Sequence, residues 1–291
     1  MRQKNHARNL LRYATITTIA ACFTSTSFAQ TDYSQVQIIP HQVRGNVYYL
    51  EGAGGNIGLS VGEDGVVMID DQFAPLTNKI LAAISSINDG DIRFLINTHV
   101  HGDHTGGNEN LGKQGIVILA RDTVRVRMLQ NSPKEALPVL TFDDDISIHL
   151  NGEELMIMPV PSAHTDGDSF VYFMNSDVLH MGDVFRTTGY PYIDLANGGT
   201  LQGTLEALAI AIGMAGPDTI IVPGHGTPST RADVMEFRDM ILDVVNTVQP
   251  MIDDGMTYEQ VEAANPTAKY DAKWGNPERF LPGVYMGLGG Q

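Results

Sequence analysis

Short apolar runs separated by polar, glycine-bearing turns fill the first part of the chain. Residues 36–39, 47–50, 57–61 and 66–69 are four such runs, and the turns between them carry Gly45-Asn46, the glycine-rich stretch 52–56, and Glu63-Asp64-Gly65. Runs of that length bounded by turn residues predict a meander of strands. The period then changes. Leu76, Ile80, Leu81, Ile84 and Ile87 recur at helical spacing and share one face. Strands at 93–97 and 116–119 follow, and the same grammar returns with strands at 155–158, 170–174, 178–181 and 220–222. Between the last two lies a helix over 200–215, closed by Gly216-Pro217. Val234, Phe237, Ile241, Val244, Val245 and Val248 mark one face of a long helix, and Thr257 with Gln260 offers a capping box for a last short one. Strands alternating with helices in both halves predict an α/β protein, its sheets covered by helices in one domain over 30–291.

The first 29 residues stand apart from this pattern. Arg2, Lys4, Arg8 and Arg12 precede an apolar stretch at 14–23, a polar spacer, and the small-x-small sequence Ser27-Phe28-Ala29. That order predicts a signal peptide over 1–29, cleaved before Gln30, and a periplasmic or secreted protein. The apolar stretch falls far short of the ~20 residues that span a bilayer, so no transmembrane span is expected. Ile19-Ala20-Ala21-Cys22 resembles a bacterial lipobox and gives a second export reading, a lipoprotein anchored through Cys22. Cys22 is the only cysteine, so no disulfide forms within the chain, and cleavage after Ala29 leaves no thiolate to hold a metal.

Charge narrows the partners. The chain has 18 Lys plus Arg against 34 Asp plus Glu, a net charge of −16, and the four basic residues named above all precede the cleavage site. Such a surface repels phosphate backbones and anionic membranes, which excludes nucleic acid and leaves a small-molecule substrate.

The candidate chemistry lies in His99-Val100-His101-Gly102-Asp103-His104, directly after the apolar run Phe94-Leu95-Ile96. Three imidazoles and a carboxylate at a strand end, where Gly and Asp turn the chain sharply, can converge on one point. Divalent metals such as zinc favour that mixture of nitrogen and oxygen donors. Three later residues share one position, the first polar residue beyond an apolar strand at a glycine-marked turn. They are His164 before Thr165-Asp166-Gly167-Asp168, Asp183 after Gly182, and His225 in Pro223-Gly224-His225-Gly226. Functional groups of sheet-based enzymes gather at such strand ends. His149 and His180, in apolar strand contexts, read as hydrogen-bonded structural histidines, and His41 beside Pro40 reads as part of an N-terminal turn.

His-x-His-x-Asp-His, then a lone His, then Gly-Asp after a strand, then Pro-Gly-His-Gly resembles the metallo-β-lactamase-fold superfamily, over essentially the whole chain beyond the signal peptide. The resemblance implies an αββα sandwich with the site at one sheet edge, and two zinc ions per chain. His99, His101 and His164 would hold the first, and Asp103, His104 and His225 the second. Asp183 would sit on the second or bridge both, and Asp70 would buttress the metal loop by hydrogen bonds. Zinc lowers the pKa of bound water to about 7, so hydroxide is available at neutral pH to attack a carbonyl, with Asp103 orienting it and taking its proton. The lactamases nearest in chain order place a Cys where this chain has Asp183. Lactone-cleaving enzymes and glyoxalase II use Asp there. Arg186, three residues on, stands where those lactamases put a Lys for the substrate carboxylate, and Arg grips a carboxylate bidentately. Asn197 reads both as an oxyanion donor and as a turn former. The stretch 51–56, without Trp or Phe, predicts a permissive mouth. β-Lactam amide hydrolysis is therefore the leading expectation. Lactone, ester or thioester hydrolysis is the alternative within the fold, and an iron-dependent persulfide dioxygenase the alternative from another class.

Overall fold

Residues 31–290 are described by the computed structural model. The expected signal peptide over 1–29 and Cys22 lie outside them, and from Tyr33 onward the chain forms one compact unit. Strands β1 (Ile39–Arg44), β2 (Val47–Glu51), β3 (Ile57–Gly62) and β4 (Gly65–Ile69) make an antiparallel meander. Helix α1 (Thr77–Ser85) carries the chain back, so β5 (Ile92–Asn97) pairs with β4 in parallel. The short helices α2 (Gly102–Thr105) and α3 (Asn108–Gly112) lead to β6 (Val117–Arg121), and α4 (Asp122–Met128) leads to β7 (Leu140–Phe142). These strands form a seven-stranded sheet in chain order. A second sheet of five strands holds β8 (Ile146–Leu150), β9 (Glu153–Pro159), β10 (Ser169–Phe173) and β11 (Val178–His180), antiparallel in turn. Helix α5 (Leu201–Met214) then returns the chain to β12 (Ile220–Val222), parallel to β11. The remaining helices are α6 (Arg231–Asp253), α7 (Tyr258–Ala263), α8 (Ala268–Trp274) and α9 (Leu281–Gly287).

Period-two alternation assigns each strand two faces. Val67, Ile69, Ile96 and Leu119 of the first sheet meet Leu155, Ile157, Val171, Phe173 and Val222 of the second in one buried cluster. The outward neighbours Val66, Met68, Leu95 and Ile118 pack under Ile80 and Ile84 of α1 and Leu111 of α3. On the far side, Met158, Phe170, Leu179 and Ile221 pack under α5, α6 and α9 through Leu208, Phe237, Ile241 and Val284. The order of layers is helix, sheet, sheet, helix, the αββα sandwich.

Some elements differ from the sequence expectation. The strand expected at 36–39 begins instead at Ile39 and runs through Pro40 and His41, because β1 is an edge strand, where a residue without an N–H costs no ladder bond. His41 is thus a strand residue, its ring stacked 4.6 Å from that of Tyr49 and its Nε2 3.0 Å from Glu51. His149 is exposed on β8. His180 is buried, its Nε2 bonding to the Asn56 carbonyl at 3.1 Å and its Nδ1 accepting from the Gly182 N–H. The capping box at Thr257 and Gln260 is present, but α8 and α9 follow the helix it starts.

Candidate metal centre

The segments that follow β4, β5, β9, β11 and β12 meet at one end of the sandwich. β5 delivers Thr98 and the His99–His104 loop, the β9–β10 connection delivers His164, and β11 and β12 end just before Asp183 and His225. Three groups of donor atoms result: His99, His101 and His164; His99, His104 and Asp183; and Asp103, His104 and His225. Within each, the atoms lie within 4.8 Å of one another. Asp183 lies between the sets. Its Oδ1 is 3.1 Å from His104 Nε2, and its Oδ2 is 3.1 Å from His225 Nε2 and 3.8 Å from His164 Nε2.

Neighbours decide which ring nitrogen each imidazole turns inward. Asp70, at φ +61 in the left-handed region just after β4, accepts from the Thr98 N–H at 2.8 Å and the Thr98 hydroxyl at 2.7 Å. That hydroxyl's one proton goes to Asp70, so His99 Nδ1 donates to Thr98 Oγ1 at 3.0 Å and His99 Nε2 is free. His104 Nδ1 donates to Asp70 at 2.7 Å, freeing its Nε2. His164 Nδ1 donates to the Tyr192 carbonyl at 2.6 Å. His101 is held the other way round, with Nε2 on Asp194 at 2.7 Å and Nδ1 facing His164 Nε2 at 2.8 Å. Asp70 therefore contacts the loop as expected of a buttress. Thr98, Tyr192 and Asp194 were not singled out from the sequence, although Asp194 stands three residues before Asn197.

His99 Nε2, His104 Nε2 and Asp183 Oδ1 are buried polar atoms without a hydrogen-bond partner. His104 and Asp183 are close enough to bond but not aligned to do so, which fits donors aimed at a shared cation. Protonation agrees with that arrangement at His99, His164 and Asp103. Burial, reinforced by His104 and His164, holds His99 well below its ordinary pKa, and burial lowers His164 to about 4. Burial opposes charge on Asp103, but the bond to His225 and the nearness of His104 bring it down to about 2. Burial also opposes charge on His104, yet Asp183 and Asp70 outweigh it and raise its pKa well above normal. His99 and His164 are thus neutral beside ionised carboxylates, the forms that bind a divalent cation, whereas His104 would give up a proton when one binds.

The proposed substrate residues are placed differently. Arg186 pairs main chain to main chain with His225, and its Nε is buried without a partner. Asn197 has its carbonyl on Arg127 at 3.1 Å and one amide proton on Asp194 at 2.7 Å, so it supports the carboxylate that holds His101. A cleft of about 490 Å³ adjoins the loop, lined by His101, Gly102, Thr105, Glu109, Arg127 and Asn197 among others. The 51–56 stretch, expected to border a permissive mouth, is packed onto the donor residues: Gly55 N–H donates to the Asp103 carbonyl at 3.1 Å, and a Cβ on Gly55 would overlap the His104 ring.

A sandwich of this topology thus carries at its edge a His/Asp cluster that could hold metal ions. Residues 50–225 match the model of the metallo-beta-lactamase superfamily, and the chain belongs to that family. Beta-lactamase-like protein 2 homolog of Caenorhabditis elegans is 25% identical over 190 residues, which cover 64% of this chain and 58% of that protein. A metallo-beta-lactamase from Pontibacter korlensis superposes with a TM-score of 0.64 at 17% identity, covering 71% of this chain and all of its own. A double mutant of a sec-alkyl sulfatase superposes with a TM-score of 0.69 at 17% identity, over 88% of this chain and 50% of its own length.

Proposed function

We propose that this chain is an exported dinuclear zinc hydrolase that cleaves a carbonyl substrate, with the β-lactam amide as the leading candidate. The observation that carries the reading is the set of inward-facing donors, among them the buried, partnerless His99 Nε2, His104 Nε2 and Asp183 Oδ1. His99, His101 and His164 would hold one cation and Asp103, His104 and His225 the other, with Asp183 between them. Such a pair supplies Lewis-acid polarisation of the carbonyl and an activated water.

The protein's own part is positioning and proton handling. Asp70, Thr98, Asp194 and Tyr192 fix the imidazole tautomers. Asp103, 28% exposed where Asp183 is only 7%, is the carboxylate that a water in the opening can reach. Its low pKa keeps it ionised at neutral pH, able to orient that water and receive its proton. Arg186 meets no carboxylate among the described residues and is offered for an anionic group of the substrate. The all-His/Asp donor set equally supports lactone, ester or thioester cleavage, because Asp183 replaces the thiolate of the specialised lactamases. Turnover of nitrocefin or imipenem by the zinc-loaded protein is the direct test. Lactone or ester cleavage without lactam turnover moves the assignment to the alternative. Asp103→Asn should abolish hydrolysis of whichever substrate is turned over, because it removes the proton acceptor and a donor of the second cation together. Full activity in that variant, or iron without zinc on elemental analysis of the isolated protein, would overturn the reading.

A further inference from the structure

His225 is anchored unlike the other imidazoles of the centre. His99, His101, His104 and His164 each hold a protein group through the nitrogen turned away from the cluster. Among the described residues, the polar contacts of the His225 side chain are with Asp103 and Asp183, both through Nε2, its ring stands edge-on to that of His104 at 5.5 Å, and its Nδ1 has no hydrogen-bond partner. Its ring direction must come from the main chain that carries it.

That main chain is held by one residue from the other half of the molecule. Asn56, 4% exposed at the start of β3, donates its N–H to the Gly224 carbonyl at 2.7 Å. Its Nδ2 donates to the Pro223 carbonyl at 2.9 Å and to the Gly226 carbonyl at 2.8 Å. The three bonds bracket His225 on both sides, and the remaining carbonyl, that of His225 itself, accepts from Thr187 at 2.9 Å. Asn56 is in turn fixed, since its carbonyl accepts from the buried His180 Nε2 at 3.1 Å. The preceding residue, Gly55, bonds to the Asp103 carbonyl, and its own carbonyl accepts from Gln72 Nε2 at 2.8 Å.

We infer that Asn56 is the positioning residue for His225, and through it sets the affinity of the Asp103–His104–His225 donor set without touching the cation. It acts where the other imidazoles use a side-chain or carbonyl partner. Only an amide side chain supplies both N–H donors at this reach. The inference rests on the two-metal reading above, and the experiment separates the two.

Chelator-treated protein is titrated with Zn²⁺ against a chromophoric competitor, and with Co²⁺ to follow the ligand-field bands of each equivalent. Wild type should take up two equivalents. Asn56→Asp keeps the size but sets carboxylate oxygens against the Pro223 and Gly226 carbonyls, and Asn56→Ser removes the donors without adding charge. Both should leave the first equivalent unchanged and weaken the second about 10- to 100-fold, the usual range for losing a ligand's outer support. Wild type binding a single equivalent overturns the two-metal reading and this inference with it. Two equivalents in wild type with the second unaltered in both variants overturns the role of Asn56 alone. If neither variant folds, wild-type protein labelled with ¹⁵N-asparagine decides. The Asn56 Nδ2 protons should shift and slow their exchange with the second equivalent, and a response confined to the first defeats the proposal.

Discussion

Asp194 does for His101 what the ligand motif alone does not: it chooses the nitrogen. Its Oδ1 accepts from the N–H groups of Ala196 and Asn197, and its Oδ2 holds His101 Nε2 and the Asn197 amide. Burial opposes charge on it, but Asn197 and His101 bring its pKa down to about 2. Asp194→Ala should free the His101 ring and weaken metal binding about 10- to 100-fold, measured by competition with a chelator, and unchanged affinity would show the contact to be incidental. Asp168 offers a test away from the donor atoms. It is buried, and burial outweighs its two bonds from Thr165 to push its pKa up to about 7. The folded state therefore holds this proton more tightly than the unfolded chain, where Asp titrates near ~3.9. Unfolding releases it, so this group's contribution to stability is greatest at acid pH and is lost as pH rises to about 7. Asp168→Asn removes the titration. The urea-midpoint difference between wild type and variant should change between pH ~4 and ~7 and level off above; a flat difference means Asp168 is ionised throughout. At this scale the donors were legible, because a metal constrains residue type. Their partners were not, because Thr98, Tyr192 and Asp194 act through geometry that ordinary residue types leave unmarked.

Elements show where periodicity is a sufficient guide. The stripe on α6 is buried at Val234, Phe237, Ile241, Val244 and Val248, because a long helix against a sheet needs a continuous apolar face. Thr200 caps α5 and accepts from Gly203, as its place before an apolar run suggests. Short elements escape such reading. β7 has three residues, two of them exposed, so no alternation marks it. Pro40 masks β1 because proline usually argues against a strand, and only the edge position permits it. The β2–β3 turn is the element whose meaning changed most, from a loose rim to a wedge between ligand loops. Gly55→Ala should place a methyl group in the His104 ring, so we expect loss of the Asp103–His104–His225 donor set and a clear fall in thermal stability. Retained stoichiometry on metal titration would mean that the turn shifts freely.

For the molecule as a whole, fold class was legible from strands alternating with helices. Which faces meet was not, since the two-sheet contact joins residues far apart in sequence. No helix among the described residues is long and apolar enough to cross a bilayer. The donors come from both sheets, so a bound cation ties one half to the other and stabilises the folded state by mass action. Removing metal with a chelator should lower the melting temperature by roughly 5–10 °C, read by calorimetry, and an unchanged melt would place the cation outside the folding equilibrium. The same division of donors has a consequence in time. His99, His101, Asp103 and His104 emerge early in the chain, but His225 follows β12, which can dock only after α5 has carried the chain back alongside β11. Pairings of such long range form late in folding. Completion of the Asp103–His104–His225 donor set would therefore be a clock: uptake of the second cation during refolding would mark the moment the last strand comes home.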